Sequence, residues 1–375
     1  ANETITNTGG NPIAHMYDYR YDRLSQLTYG SISNIDGSNW VAEYNYKKNG
    51  NMNWRTIDSN TGNFTYDGHQ LDTATGDESF NLGWDKNGQM TTGTDSKSFT
   101  WNWDGLLRSA TGTSTINLKY DPSGNRIYKQ GSATRKYIVD IVGNLPTVLL
   151  ELDGSGNVQN KYIYANSQIF AQHDTSNIYF YLHDRLGSVR QIVDSTASIV
   201  RYYSYEPFGQ TIEGGGSLYN PFTFTGQWYD SEIGQYHHRA RMYDPYLGVF
   251  TAIDPVSGYF NEPRTLHEYL YCLNDPVNKI DPLGLYGEEV YTIPGAGTHY
   301  NFYETEKVMM AFRELYEKYG FIQGSFEAFY TTVEGQETYI ERLFGHPFLG
   351  KFDYKGTGYA FTLNPYMYPI KDSEF

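Results

Sequence analysis

The pair His237-His238, set between Tyr236 and Arg239 with Tyr229 shortly upstream, is where residue types in this sequence could do chemistry by themselves. A His or Tyr of near-neutral pKa beside an Arg that steadies an enolate has the parts for β-elimination on a uronic-acid polysaccharide. Adjacent residues on a strand face opposite ways, so the two histidines cannot make one metal site by themselves. The plainer expectation is one buried and one solvated histidine. Aspartate followed by proline recurs at 121, 244, 254, 275 and 281. Such pairs initiate turns, because the carboxylate bonds its own backbone two residues on. No P-loop, zinc-binding His-Glu-x-x-His, cysteine pair or Gly-x-Ser-x-Gly elbow is present, so no cofactor and no metal is expected.

These side chains need a scaffold, and composition says of what kind. Aromatic residues make up 17% of the chain, 37 of them Tyr, against 19% charged residues, a balance that favours sheets with cross-strand aromatic pairs. The net charge of −15 argues against a broad nucleic-acid footprint, which needs clustered Lys and Arg. The single cysteine, Cys272, excludes an internal disulfide framework, and the longest apolar stretch, Ile141 to Leu150, is too short to span a bilayer as a helix. No basic-plus-apolar leader precedes Ala1, and the first repeat begins almost at once, which favours a fragment of something longer.

An aromatic-plus-Asp step recurs at intervals of about 17 to 25 residues. The units include Tyr21-Asp22, Tyr46-Lys47, Tyr66-Asp67, Trp84-Asp85, Trp103-Asp104 and Tyr120-Asp121. Alternating aromatics make one strand face, and Asp-x-x-Gly supplies a turn with Gly in the left-handed position. Each unit is therefore a hairpin, and successive hairpins pair edge to edge into a long curled antiparallel sheet, with these aromatics in equivalent strand positions.

From Tyr179 onward the sequence resembles the Rhs-associated core of Rhs and other YD-repeat proteins. The resemblance rests on Tyr181-Leu182-His183-Asp184-Arg185-Leu186-Gly187, Tyr205-Glu206-Pro207-Phe208-Gly209, Arg239-Ala240-Arg241-Met242-Tyr243-Asp244-Pro245, Asp254-Pro255, Asn274-Asp275-Pro276 and Asp281-Pro282-Leu283-Gly284-Leu285. It implies a β-sheet wound into a shell, as in Rhs toxins, insecticidal toxin-complex C subunits and teneurins, plugged by the core. In secreted members the core cuts the chain after Asp-Pro-x-Gly-Leu, and the released C-terminal part stays inside. Matching the motifs places the catalytic carboxylate pair at Asp254 and Asp281, the supporting cation at Arg241 and the scissile bond at Leu285–Tyr286. Two carboxylates brought together cannot both ionise cheaply, so one holds a proton while the other acts as base on a water. The stretch from Asp254 to Asp281 is about four residues longer than the common pattern, and the family more often has Tyr at the position of His237. His183, inside a family motif, reads as structural.

Residues 286–375 change character, with 7 basic and 13 acidic residues. Helical periodicity predicts a helix over 304–319, a second is expected over 336–344, and 352–368 reads as a hairpin turning at 355–358, a small α+β unit. Its scattered Thr298, His299, Glu304, His346 and Asp353 match no catalytic signature. The expected organisation is a YD-repeat sheet over 1–178, the core over 179–285 and a variable segment over 286–375. The leading functional expectation is a self-processing bacterial shell, secreted or at the cell surface, with its own C-terminal segment as partner. A polysaccharide lyase using His237, His238, Tyr236, Arg239 and Tyr229, or a non-catalytic module binding a polysaccharide or cell-surface glycan, are the alternatives; no nucleic acid and no membrane span are expected.

Overall fold

The computed structural model of the chain describes residues 2–6, 12–34, 39–142, 145–165, 168–258 and 263–285, and short strand segments beyond 285. Side chains are described within 17–285. The architecture is mainly β, and no α-helix occurs among the described residues. Strands follow one another as an antiparallel meander, first in a sheet of eight strands from Asn2–Thr6 to Phe80–Asn81. A second sheet of fourteen strands runs from Gly83–Trp84 to Thr211–Gly216, uninterrupted across position 178. Neither sheet closes on itself through strand pairing.

The repeat explains this topology. In several units the last strand aromatic turns its polar tip onto an earlier strand: Tyr46 Oη donates to the Leu27 carbonyl at 2.8 Å, and Tyr120 Oη to Leu107 at 2.9 Å. Trp84 Nε1 donates to Leu71 at 2.8 Å, and Tyr205 Oη to Val189 at 2.8 Å. A ring can thus be buried without stranding its donor. The following Asp closes the turn: Asp121 Oδ1 accepts from the Ser123 and Asn125 amides at 2.8 and 2.9 Å, and Asp85 Oδ1 from Asn87 and Gln89 at 2.9 and 3.0 Å.

One repeat sits in a different register from that expected. Trp103 is fully exposed at a turn, and Trp101 is the strand aromatic, with Nε1 donating to Met90 at 2.7 Å. Asn102 plays the Asp part, its Oδ1 accepting from the Asp104 and Leu106 amides. The reason is the glycine. Gly105, at φ +77°, must fall three residues after the turn-forming side chain, as Gly124 does after Asp121.

The core lies against one face of these sheets. Four short strands, Trp228–Asp230, Gln235–His238, Arg241–Asp244 and Val249–Phe250, form a separate antiparallel sheet buried on both sides. Met242 and Val249 pack into a cluster with Leu27, Tyr44, Phe64 and Leu107. Tyr243 and Phe250, pointing the opposite way, join Tyr137, Tyr162, Tyr181 and Tyr203 of the long sheet. Buried ion pairs tie the layers: Asp230 bonds Arg126 at 2.5 Å and Lys129 at 2.8 Å.

Beyond 285, the predicted helix over 304–319 lies outside the described residues. The helix expected over 336–344 is not formed: Tyr339–Leu343 is a strand paired with His346–Lys351. The aromatic and β-branched Thr338-Tyr339-Ile340 run, followed by Gly345, suits a hairpin better than a helix. The pairing of Tyr354 with Thr357 agrees with the predicted turn.

Candidate functional site

The segment Asp281-Pro282-Leu283-Gly284-Leu285 is zipped residue by residue onto the end of one core hairpin. His238 Nδ1 meets the Asp281 carbonyl at 2.6 Å, and Arg239 Nη1 donates to the Pro282 carbonyl. The Ala240 amide donates to Leu283 at 3.1 Å, and Arg241 Nε to the Gly284 carbonyl. Four consecutive residues hold four consecutive carbonyls. Gly284 has φ +70°, and a Cβ there would run into the His238 carbonyl oxygen, so only glycine fits this approach.

Asp281 is 1% exposed and uses its two oxygens differently. Oδ1 accepts from the Gly284 and Leu285 amides at 2.8 and 3.0 Å, the turn-forming role shared by other aspartates of the chain. Oδ2 lies 3.5 Å from Arg241 Nη2. Asp254 repeats the division, with Oδ1 accepting from the Val256 amide at 2.8 Å and Oδ2 2.8 Å from the same Arg241 nitrogen. The turn reading and the paired-carboxylate reading thus apply to the same two side chains.

Arg241 is itself buried, stacked 3.7 Å from the Phe250 ring centre, with Nη1 donating to the Glu268 carbonyl at 3.0 Å. Burial pushes the Asp281 carboxyl up to about 6, opposed by Arg241 and the two turn amides and reinforced by Asp254. Burial also raises Asp254, against the pull of Arg241. The arrangement therefore sets two carboxylates, both raised by burial, beside one fixed cation. The longer spacing between the aspartates does not keep them apart: both carboxylates reach the same Arg241 nitrogen.

The histidine constellation is divided. His238 is fully buried among Tyr236, Tyr243, Phe250 and Tyr271, and burial lowers it to about 3, so it is neutral. Tyr236 is 1% exposed, its hydroxyl donating to the Gly209 carbonyl at 2.9 Å, and Tyr229 packs on its ring. His237, half-buried rather than solvated, borders a partly open cavity together with Arg239. His183 is half-buried and neutral, lowered to about 3 by desolvation. Among the described residues, no three His, Cys, Asp or Glu side chains stand close enough to share a metal ion.

Sequence reasoning missed the cradle formed by His238, Arg239 and Ala240, whose work is to grip the 281–285 turn. A signal was present: the two stretches are adjacent in no sequence sense, but both carry the family motifs.

The Teneurin YD-shell family profile matches residues 2–277, which includes Asp254 and stops short of Asp281. The tRNA nuclease WapA of Bacillus subtilis strain 168 is 32% identical over 277 residues, 70% of this chain and 12% of the relative. Salivary gland surface protein 1 of Aedes aegypti is 31% identical over 189 residues, 45% of this chain and 5% of its own. The chain thus spans only a small part of these curated relatives. Among solved structures, the Photorhabdus luminescens Tc holotoxin pore matches with a TM-score of 0.57 at 19% identity, over 74% of this chain and 15% of that one. The crystal structure of TcdB2-TccC3-TEV matches with a TM-score of 0.56 at 19% identity, over 76% and 17%. The meander of aromatic hairpins, the buried four-stranded core and the family profile across 2–277 make this chain a member of the Teneurin YD-shell family.

Proposed function

We propose that this YD shell cuts its own chain at Leu285–Tyr286 by aspartate-pair hydrolysis and so frees residues 286–375. The observation that carries the reading is the convergence of Asp254 and Asp281 on one nitrogen of Arg241, while Asp281 Oδ1 holds the Leu285 amide. Asp254, in the closer ion pair with Arg241, is the base and takes a proton from water. Asp281 carries the shared proton. The water oxygen adds to the Leu285 carbonyl carbon, and a proton passes to the Tyr286 nitrogen. The carbon–nitrogen bond then breaks, leaving a Leu285 carboxyl and a Tyr286 amine. Residues 238–241, by gripping carbonyls 281–284, hold the peptide in one pose, which lowers the entropic part of the barrier. Tyr286 lies outside the described residues.

A secreted or cell-surface bacterial setting belongs to the same proposal, supported by the toxin and surface-protein names among the relatives. The lyase alternative has weaker support, since His238 and Tyr236 are sealed in the aromatic core where a polymeric glycan has no access. The test is intact mass spectrometry of denatured protein. Two pieces with Tyr286 as a new N-terminus are expected from the wild type, and one uncut chain from Asp281→Asn or Asp254→Asn. Wild type that stays whole after long incubation between pH 5 and 7 overturns the reading.

A further inference from the structure

Between the long sheet and the core lies a cavity of about 290 Å³. Tyr137, Tyr164, Phe222 and Trp228 supply aromatic walls, and Phe222 stands edge-on to both Tyr164 and Trp228. Its polar groups have one sign. Arg126, Arg185 and Arg239 line it, and among the described residues no Asp or Glu does, although the chain as a whole carries −15. Arg126 is neutralised by Asp230. Arg239 is different: its described contacts are the carbonyls of Pro146 at 3.0 Å and Pro282, and Gln227 Oε1 at 3.1 Å, all neutral. Burial pulls its guanidinium below the ordinary value, with no carboxylate opposing. His237 also lines the wall, with Nε2 closed off from solvent and without a hydrogen-bond partner among the described residues. A half-buried cation with no carboxylate beside it among the described residues is costly in an aromatic setting, unless an anion fills the space.

We propose that this cavity is a binding site for a carboxylate carried on an aromatic or apolar body, with Arg239 taking the carboxylate and Tyr137, Phe222 and Trp228 the body. The volume is at the small end for ligand sites, which suits a single ring with a short acidic arm. The same carboxylate chemistry has two sources. One is a free small molecule. The other is the chain itself: Glu288–Glu289 is a strand segment paired with Lys279–Ile280, with Glu288 in register with Ile280, and Ile280 borders the cavity. The site shares Arg239 with the cradle that grips the 281–285 turn but uses neither Asp254 nor Asp281, so binding is read without reference to cleavage.

Calorimetric titration of the full chain with 4-hydroxyphenylacetate tests it, with the neutral 4-hydroxyphenylacetamide and non-aromatic acetate as controls. Saturable binding is expected for the first, at least tenfold weaker for both controls. Arg239→Gln should weaken it at least tenfold, and Arg239→Lys should retain most of it, with melting temperature followed to exclude loss of fold. The double variant Glu288→Gln, Glu289→Gln separates the sources. At least tenfold tighter binding than wild type assigns the site to the chain's own carboxylates, and equal binding assigns it to a free ligand. No saturable binding to either protein, or binding that the amide and Arg239→Gln leave unchanged, overturns the proposal.

Discussion

The repeat turns and the core turn at 281 are built alike and behave oppositely. In both, an aspartate Oδ1 accepts backbone amides a few residues ahead: Asp153 from Ser155 and Asn157, Asp194 from Thr196 and Ser198, Asp281 from Gly284 and Leu285. Asp153 and Asp194 sit on the surface, and their pKa falls, Asp153 through bonds from the Asn157 side chain and the turn amides, Asp194 through those from Thr196 and Ser198. Asp281 keeps comparable bonds, yet burial under the core raises it to about 6. Local geometry is therefore reusable, and burial beside Arg241 and Asp254 decides whether an aspartate turn is only a turn. An amide donor stabilises the carboxylate in either place, but removal from water outweighs it in one.

The largest break between the two regions is expected from Asp281→Asn set beside Asp153→Asn. Asn preserves an Oδ1 acceptor, so both turns should form. Separation of the two pieces should fall by about a thousandfold or more at 281 and stay unchanged at 153, read as the cut fraction over time.

Acidity should sharpen the contrast. Cutting needs Asp281 protonated and Asp254 ionised, so the rate should fall about tenfold per pH unit above about 6, and also at low pH as Asp254 gains its proton. The stability linkage runs in opposite senses. Folded Asp281 holds its proton more tightly than in the unfolded chain, so its contribution is greatest in acid and is lost as pH rises from 3.8 through about 6. Asp153 and Asp194, with lowered values, contribute above 3.8 and lose that contribution as pH falls. Denaturant midpoints from pH 4 to 7 should therefore show Asp281→Asn gaining on the wild type as pH rises. A flat difference would place Asp281 outside the buried ion cluster.

Charge pairs give the next contrast. Arg241→Met strands Asp281 and Asp254 and frees the Gly284 and Glu268 carbonyls, and should cost about 3–5 kcal/mol in urea unfolding. Arg20→Met removes the exposed Arg20–Asp18 pair and should cost about 0.5 kcal/mol or less.

Glycines give a smaller one. Gly156 and Gly284 both have positive φ, but a Cβ at Gly156 meets nothing within 4 Å, whereas at Gly284 it strikes the His238 carbonyl. Alanine should cost about 1 kcal/mol at 156 and about 3 kcal/mol at 284. The smallest effect should come from Trp103→Ala, within about 0.5 kcal/mol, while Trp101→Ala costs about 3 kcal/mol; equal losses would restore the register first expected from the sequence.

The repeat was legible in the sequence because it is local. An aromatic at a strand end, an Asx side chain next and a glycine three residues later specify a hairpin wherever they fall, as Tyr120-Asp121 to Gly124 does. Reading aromatic and Asp as a pair, without the glycine spacing, misplaced the unit at Trp103. The helix expected over 336–344 failed for a related reason: periodicity over nine residues does not separate a short helix from a hairpin strand. Arg241, Asp254 and Asp281 could be named only through their family motifs, because no spacing within the chain brings position 241 near 281.

By itself, then, the sequence determined the mainly β meander, its aromatic faces and its turns, all governed by contacts a few residues apart. Only the tertiary structure decided that His238 is a buried clamp, that Arg239 faces a cavity with no carboxylate among its described lining, and that burial raises the Asp281 carboxyl to about 6. These follow from which surfaces the core sheet covers, and desolvation depends on everything packed around a group, whatever its distance along the chain.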